Sequence, residues 1–258
     1  YISNVYIENC KKGLVIEGDT REVTLNRVWC YNNQEDGFYI EGGDHKIINC
    51  VAGSNGAHGF RNVGGGSQVI NCKAFYNGDT TANTYGFLFT SASRRAQIIG
   101  CQAQDNYYHG FVLYNVENML LEGCNADSNG RASSNSYDGI RLDGAKKCLI
   151  IGNKCFDRNT EKYQRYGIYL SSTTENNVVA YNDVRGNLNN IYVSGTGNVV
   201  EHNRGFVTEN CGTATVANDE YIAHGLEQSL NIGYNNCTVQ LTPYTTVYDG
   251  VPVVVGCN

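Results

Sequence analysis

Six residues able to move protons or hold polar groups stand in one place of a recurring phrase, each directly before a glycine. They are Asp36, His58, Tyr85, His109, Asp138 and Tyr166, with Lys12 in the same place before Gly13. Two residues past each glycine runs a second series: Tyr39, Arg61, Leu88, Val112, Arg141 and Tyr169, with Tyr192 two past Asn190. An imidazole titrates near neutral pH and suits a general base, and a phenol placed between two imidazoles suits an acid. An arginine fork pairs with a carboxylate. Base, acid and cation together are what removal of a proton beside a carboxylate requires. On this reading His58 or His109 is the base, Tyr85 the acid, and Asp138 the group that orients His109. Arg61, Arg141, Tyr39 and Tyr169 then bind the substrate. Hydrolysis by a carboxylate pair fails, because Asp36 and Asp138 lie four repeats apart, roughly 19 Å, where such a pair needs at most about 9.5 Å. The alternative reading is plain: Asp, His and Tyr also suit a solvated turn before a glycine.

The elements that must position these residues are short. The phrase glycines (Gly13, Gly37, Gly59, Gly86, Gly110, Gly139 and Gly167) recur every 22 to 29 residues, which is the signature of a repeat architecture. Each repeat holds an apolar strand ending in Asn-Cys or Gly-Cys (Cys50, Cys72, Cys101, Cys124), a short piece ending in Asn, and a Gly-Phe or Gly-Ile strand. Apolar residues alternate within these pieces, as in Ile70, Cys72 and Ala74, and no long stretch keeps a helical period. The spacing predicts an all-β fold, a right-handed, single-stranded parallel β-helix whose rungs stack because none can bury its apolar edge alone. Asn55, Asn77, Asn106, Asn129, Asn159 and Asn187, with Asn32 before them, predict an asparagine ladder of paired side-chain amides. Glycine is expected to supply positive φ at the turns.

Composition narrows the partners. A formal charge of −6 with no basic run excludes a nucleic-acid backbone as the natural partner. No apolar run approaches the roughly 18 residues of a membrane span. Of eleven cysteines, Cys50, Cys72, Cys101 and Cys124 share one inward column and are expected as a ladder of free, buried thiols. No Cys-x-x-Cys occurs and no cofactor is expected; calcium stays open as an alternative, although no acidic cluster to bind it can be read.

The rung pattern ends near residue 205. Residues 1–205 read as the β-helix, opening inside a coil as though an N-terminal cap were missing, and 206–258 as a small β-rich appendage that caps or assembles. A disulfide among Cys211, Cys237 and Cys257, a turn role for His224 and a sequon at Asn236 are expected there.

The rung phrases, Asn-Cys-x-Ala-x-x-Asn followed by His-Gly-Phe, resemble the repeats of the pectate-lyase-like superfamily over residues 1 to about 205. They look most like those of alginate C5-epimerases and phage-associated β-helix proteins. The stretches Gly152 to Ile168 and Val207 to Leu226 are similar to β-helix proteins of thermophiles and their viruses. The resemblance implies a polysaccharide partner, an extracellular, cell-surface or virion-surface location, and β-elimination or C5-epimerisation of a uronate. It transfers no catalytic residue, since the Asp-Pro-His-Glu and Gly-His-Gly motifs of its enzymes are absent. The competing class is a non-enzymatic, tailspike-like, adhesin or fibre protein, self-associated as a trimer.

Overall fold

The structure is a computed structural model that describes residues 1–62, 64–79 and 83–206, with two further short strands, Ala214–Val216 and Val239–Leu241, paired in parallel. The chain divides into two units, Tyr1–Phe206 and Val207–Asn258. Cys211, Cys237, Cys257, His224 and Asn236 lie outside the described residues.

The first unit is a right-handed parallel β-helix. Among the described residues there is no helix, and the strands form one sheet of fourteen and one of eight. The fourteen-stranded sheet is two walls joined through the long strand Thr24–Tyr31, whose first half pairs with Lys46–Ile48 and second half with Val51–Gly53. A left-handed residue makes the bend between these walls: Asn49, Asn71, Gly100, Gly123 and Gly152 all have φ between 51° and 65°. The eight-stranded sheet carries the glycine phrase and runs Leu14–Ile16, Phe38–Ile40, Phe60–Asn62, Phe87–Phe89, Phe111–Tyr114, Ile140–Asp143, Tyr166–Leu170 and Asn189–Tyr192. Each strand sits in register on the next, so Phe38, Phe60, Phe87 and Phe111 stack inside with near-parallel rings 4.4 to 4.8 Å apart.

The asparagine ladder is present with two changes of membership. Asn77 is typical: its Oδ1 accepts the Asn55 N–H (3.2 Å) and Nδ2–H (2.9 Å), and its own Nδ2 donates to the Ala52 carbonyl (3.1 Å). At the front the member is Asn33, not Asn32. The ladder residue follows a left-handed corner residue, and Asn32 (φ 52°), Ser54, Tyr76, Asp105 and Ser128 occupy that corner. At the back Gln164 replaces the expected Asn159, because the inserted loop moves Asn159 onto the Asp157 carboxylate and the longer Gln164 reaches Asn129 and Asn187. The four column thiols are free and buried, and Sγ of Cys72, Cys101 and Cys124 accepts the N–H one rung before at 3.4 Å. Asn153, Asn182 and Asn203 then continue that column as a second amide series.

The phrase glycines do not have positive φ. They are glycines because the backbones approach closely there. A Cβ on Gly59 would stand 2.6 Å from the Gly86 carbonyl oxygen and 2.8 Å from Asn77 Nδ2. The ladder and the phrase therefore specify each other, and together they fix the column that precedes each glycine.

Candidate functional site

Side-chain hydrogen bonds link the column before the glycines in two runs, Asp36 to Tyr85 and His109 to Asp138. Asp36 Oδ1 accepts the His58 N–H (3.0 Å), His58 Nδ1 accepts the Tyr85 N–H (3.0 Å), and His109 Nδ1 accepts the Asp138 N–H (2.8 Å). The rings stack in turn, His58 to Tyr85 at 5.2 Å and Tyr85 to His109 at 5.5 Å. An Nδ1 that accepts a backbone N–H carries no proton, so each neutral imidazole bears its hydrogen on Nε2. Burial reinforces this state. It drives the His58 pKa down to about 3, helped by the Arg61 charge, and holds His109 well below the usual range, with Arg141 and Arg165 adding to the effect. Both histidines are thus set to donate through Nε2–H, and their remaining lone pair is spent on the fold.

A pocket of about 310 Å³ opens on the outer face of the eight-stranded sheet. Leu88 and Val112 make its floor, and His58, Tyr85, Arg141 and Asp143 stand around it with Asn83, Thr90 and Tyr114. That volume lies at the lower end of the range for small-molecule sites, enough for a single ring system. Burial pushes the Tyr85 hydroxyl up, so it is a neutral donor, and it makes no hydrogen bond among the described residues. Each Arg141 nitrogen holds a carboxylate: Nε and Nη2 hold Asp143 (2.6 and 3.3 Å), and Nη1 reaches Asp138 (3.2 Å).

Of the residues read from the sequence, His58, Tyr85 and Arg141 come together in this pocket, whereas His109, Asp138, Arg61, Tyr39 and Tyr169 are not among its lining. Asp138 is fully buried and held by Arg165 through two contacts of 2.9 Å as well as by Arg141. Burial pushes its carboxyl up and the two guanidiniums act against that. Its carboxylate lies 3.5 Å from His109 Nδ1, but that nitrogen already accepts the Asp138 backbone N–H. Tyr39 donates its hydroxyl to Glu41 (2.6 Å) and carries Lys12 and Arg61 over its ring at 4.3 and 5.3 Å. Tyr169 stacks on Tyr192 at 4.8 Å, under the Arg141 guanidinium at 4.5 Å. Among the described residues no group of three or more His, Cys, Asp or Glu is placed to hold a metal ion.

With this geometry in view, the sequence profile described as "Right handed beta helix region" matches residues 85–243. The chain belongs to that family. No curated protein matches it in sequence. Among solved structures it is similar to tailspike protein 2 of Escherichia coli O157:H7 bacteriophage CAB120, at 16% identity and a TM-score of 0.65 over 77% of this chain and 29% of that one. It is also similar to the A-module of the Azotobacter vinelandii mannuronan C-5 epimerase AlgE4, at 17% identity and a TM-score of 0.59 over 78% of this chain and 63% of that one. The periplasmic alginate epimerase AlgG, as a double mutant, matches at 13% identity and a TM-score of 0.63 over 80% of this chain and 50% of that one. The family member described here thus spans less than two thirds of each of these chains, and at such identities the likeness is one of fold.

Asp143, Thr90 and Tyr114 escaped the sequence reading although a signal for them exists. Each stands two residues past a member of the outward series, after Arg141, Leu88 and Val112, and strand alternation puts such residues on one face. Asn83 comes from the insertion before Tyr85, where spacing carries no such information.

Proposed function

We propose that the chain recognises an extracellular or cell-surface polysaccharide on the outer face of its eight-stranded sheet, one sugar ring resting on Leu88 and Val112. The observation that carries this reading is an open pocket with an apolar floor and a rim of donors, built on in-register strands. Apolar ring faces settle on such a floor, while hydroxyls take the His58 Nε2–H and the Tyr85 O–H and give hydrogens to Asp143. The solved structures it resembles include proteins named for mannuronan and alginate epimerisation and a phage tailspike, which agrees with a glycan partner and a location at a cell or virion surface.

Recognition fits the geometry better than turnover. The two imidazoles have no lone pair to offer as bases, and Asp143 is bound to Arg141. One observation favours lyase or epimerase chemistry as a second reading: the Tyr85 hydroxyl has no hydrogen-bond partner among the described residues, so it is free to protonate a leaving oxygen or a carbanion.

The test is binding of a panel of surface glycans to the intact chain and to Leu88→Asp, which places a charge on the outward-facing floor without touching the core. Wild-type binding that falls at least about tenfold in the variant is the expected result. Equal binding by both would sink the reading. Ultraviolet absorbance of an unsaturated product, lost in Tyr85→Phe, would move the protein into the second class.

A further inference from the structure

Three arginines of the first unit are half-buried: Arg61, Arg141 and Arg165. Arg141 and Arg165 are matched by the carboxylates of Asp143 and Asp138. Arg61 makes no ion pair with any described residue, and its Nε is sealed from solvent without an acceptor. A buried guanidinium nitrogen with nothing to donate to is costly, and native folds keep few of them. Asp36 is close enough for its carboxyl to be affected by the Arg61 charge, yet the contact it makes is to the His58 N–H. Arg61 is held instead over the Tyr39 ring, whose other cation is Lys12 and whose hydroxyl is fixed by Glu41. It faces Leu88 in register, and so lies one rung, roughly 4.8 Å, from the pocket floor.

The pocket has the opposite character. Its cation, Arg141, already holds Asp143 through two nitrogens and Asp138 through the third. A sugar carboxylate seated there would meet the Asp143 charge with no free cation to offset it. A cation that no carboxylate contacts, although Asp36 and Glu41 feel its charge, therefore stands beside the pocket, not in it.

We infer that the glycan is an acidic heteropolysaccharide: an uncharged sugar occupies the pocket while an oxyanion on a neighbouring sugar pairs with Arg61. This rests on the recognition reading above and adds which sugar bears the charge. An oxyanion that takes an N–H from each terminal nitrogen pairs with the guanidinium as a fork and leaves the sealed Nε–H as it is. A homopolymer of uronates fits poorly, because it would place a carboxylate in the pocket as well. The oxyanion is a carboxylate or a sulfate ester, which share this geometry.

The test uses the intact chain and Arg61→Gln against neutral glycans, homopolyuronates and mixed acidic glycans. The mixed set is repeated after carboxyl reduction and, separately, after desulfation, which removes the two sources one at a time. Mixed glycans are expected to bind best. Removing the anion, or Arg61, should each weaken binding by about ten- to a hundredfold, and removing both should cost no more than either alone. Losses that multiply would mean the charge is read elsewhere and would overturn the inference, as would a preference for neutral glycans or homopolyuronates. In those cases the pocket reading survives through the Leu88→Asp result. If no glycan binds the wild type, both fall together.

Discussion

Acidification should destabilise this β-helix through its histidine column, by an amount that can be worked out in advance. His58 is neutral in the fold, with a pKa of about 3, against 6.5 when exposed. Between those values the unfolded chain binds a proton that the folded chain refuses, so stability rises with pH and is lost as pH falls below about 6.5. Going from about pH 7.5 to about pH 5 should cost roughly 2 kcal/mol from His58 alone, at about 1.36 kcal/mol for each pH step below the unfolded value. His109 is shifted in the same direction and adds to the loss. Raised carboxyls at Asp36 and Asp138 act with the opposite sign, so the His58 share must be isolated by difference. His58→Asn serves, because an amide oxygen can accept the Tyr85 N–H as Nδ1 does and does not titrate. Urea unfolding of both proteins at the two pH values gives the comparison. The wild type should lose about 2 kcal/mol more than the variant. Equal losses would mean that His58 titrates normally in the fold, which would refute the tautomer assigned here and restore imidazole as a base.

Two further predictions concern the frame that holds the column. Asn106→Ala removes the acceptor of the Asn77 N–H and Nδ2–H and the donor to the Ala74 carbonyl, all buried, and should cost about 3 kcal/mol or more in urea unfolding, whereas Asn71→Ala in the exposed series should cost only about 1–2 kcal/mol, from its left-handed backbone. Gly59→Ala drives a Cβ against the Gly86 carbonyl and the ladder amide at once, so it should cost about 1–3 kcal/mol despite an ordinary φ, and a thermal melt unchanged from wild type would show that the rungs are not packed as described.

Much of this was legible in the residues. Period-2 alternation and a fixed repeat dictate stacked strands, since each rung has an apolar edge that only another rung can cover, and the tailspike and epimerase folds agree. Most of the ladder was legible too, because a buried amide column pays its desolvation only when every rung supplies one. Its errors are local. Asn32 and Asn33 are indistinguishable until the corner's φ is known, and Asn159 gave way to Gln164 because an insertion breaks the count.

The site divides along the same line. Which residues share a column follows from register, so the sequence itself placed His58, Tyr85, His109 and Asp138 in one file and Arg61 and Arg141 in another. What each does depends on neighbours one or two rungs away, which are more than twenty residues distant in the chain. The backbone N–H groups of Tyr85 and Asp138 decide the histidine tautomers. Two aspartates occupy Arg141, and no described carboxylate occupies Arg61. Residue type set the possible chemistry; the stacking of rungs, by spending some lone pairs and charges on the fold and leaving others free, decided which of it remains available.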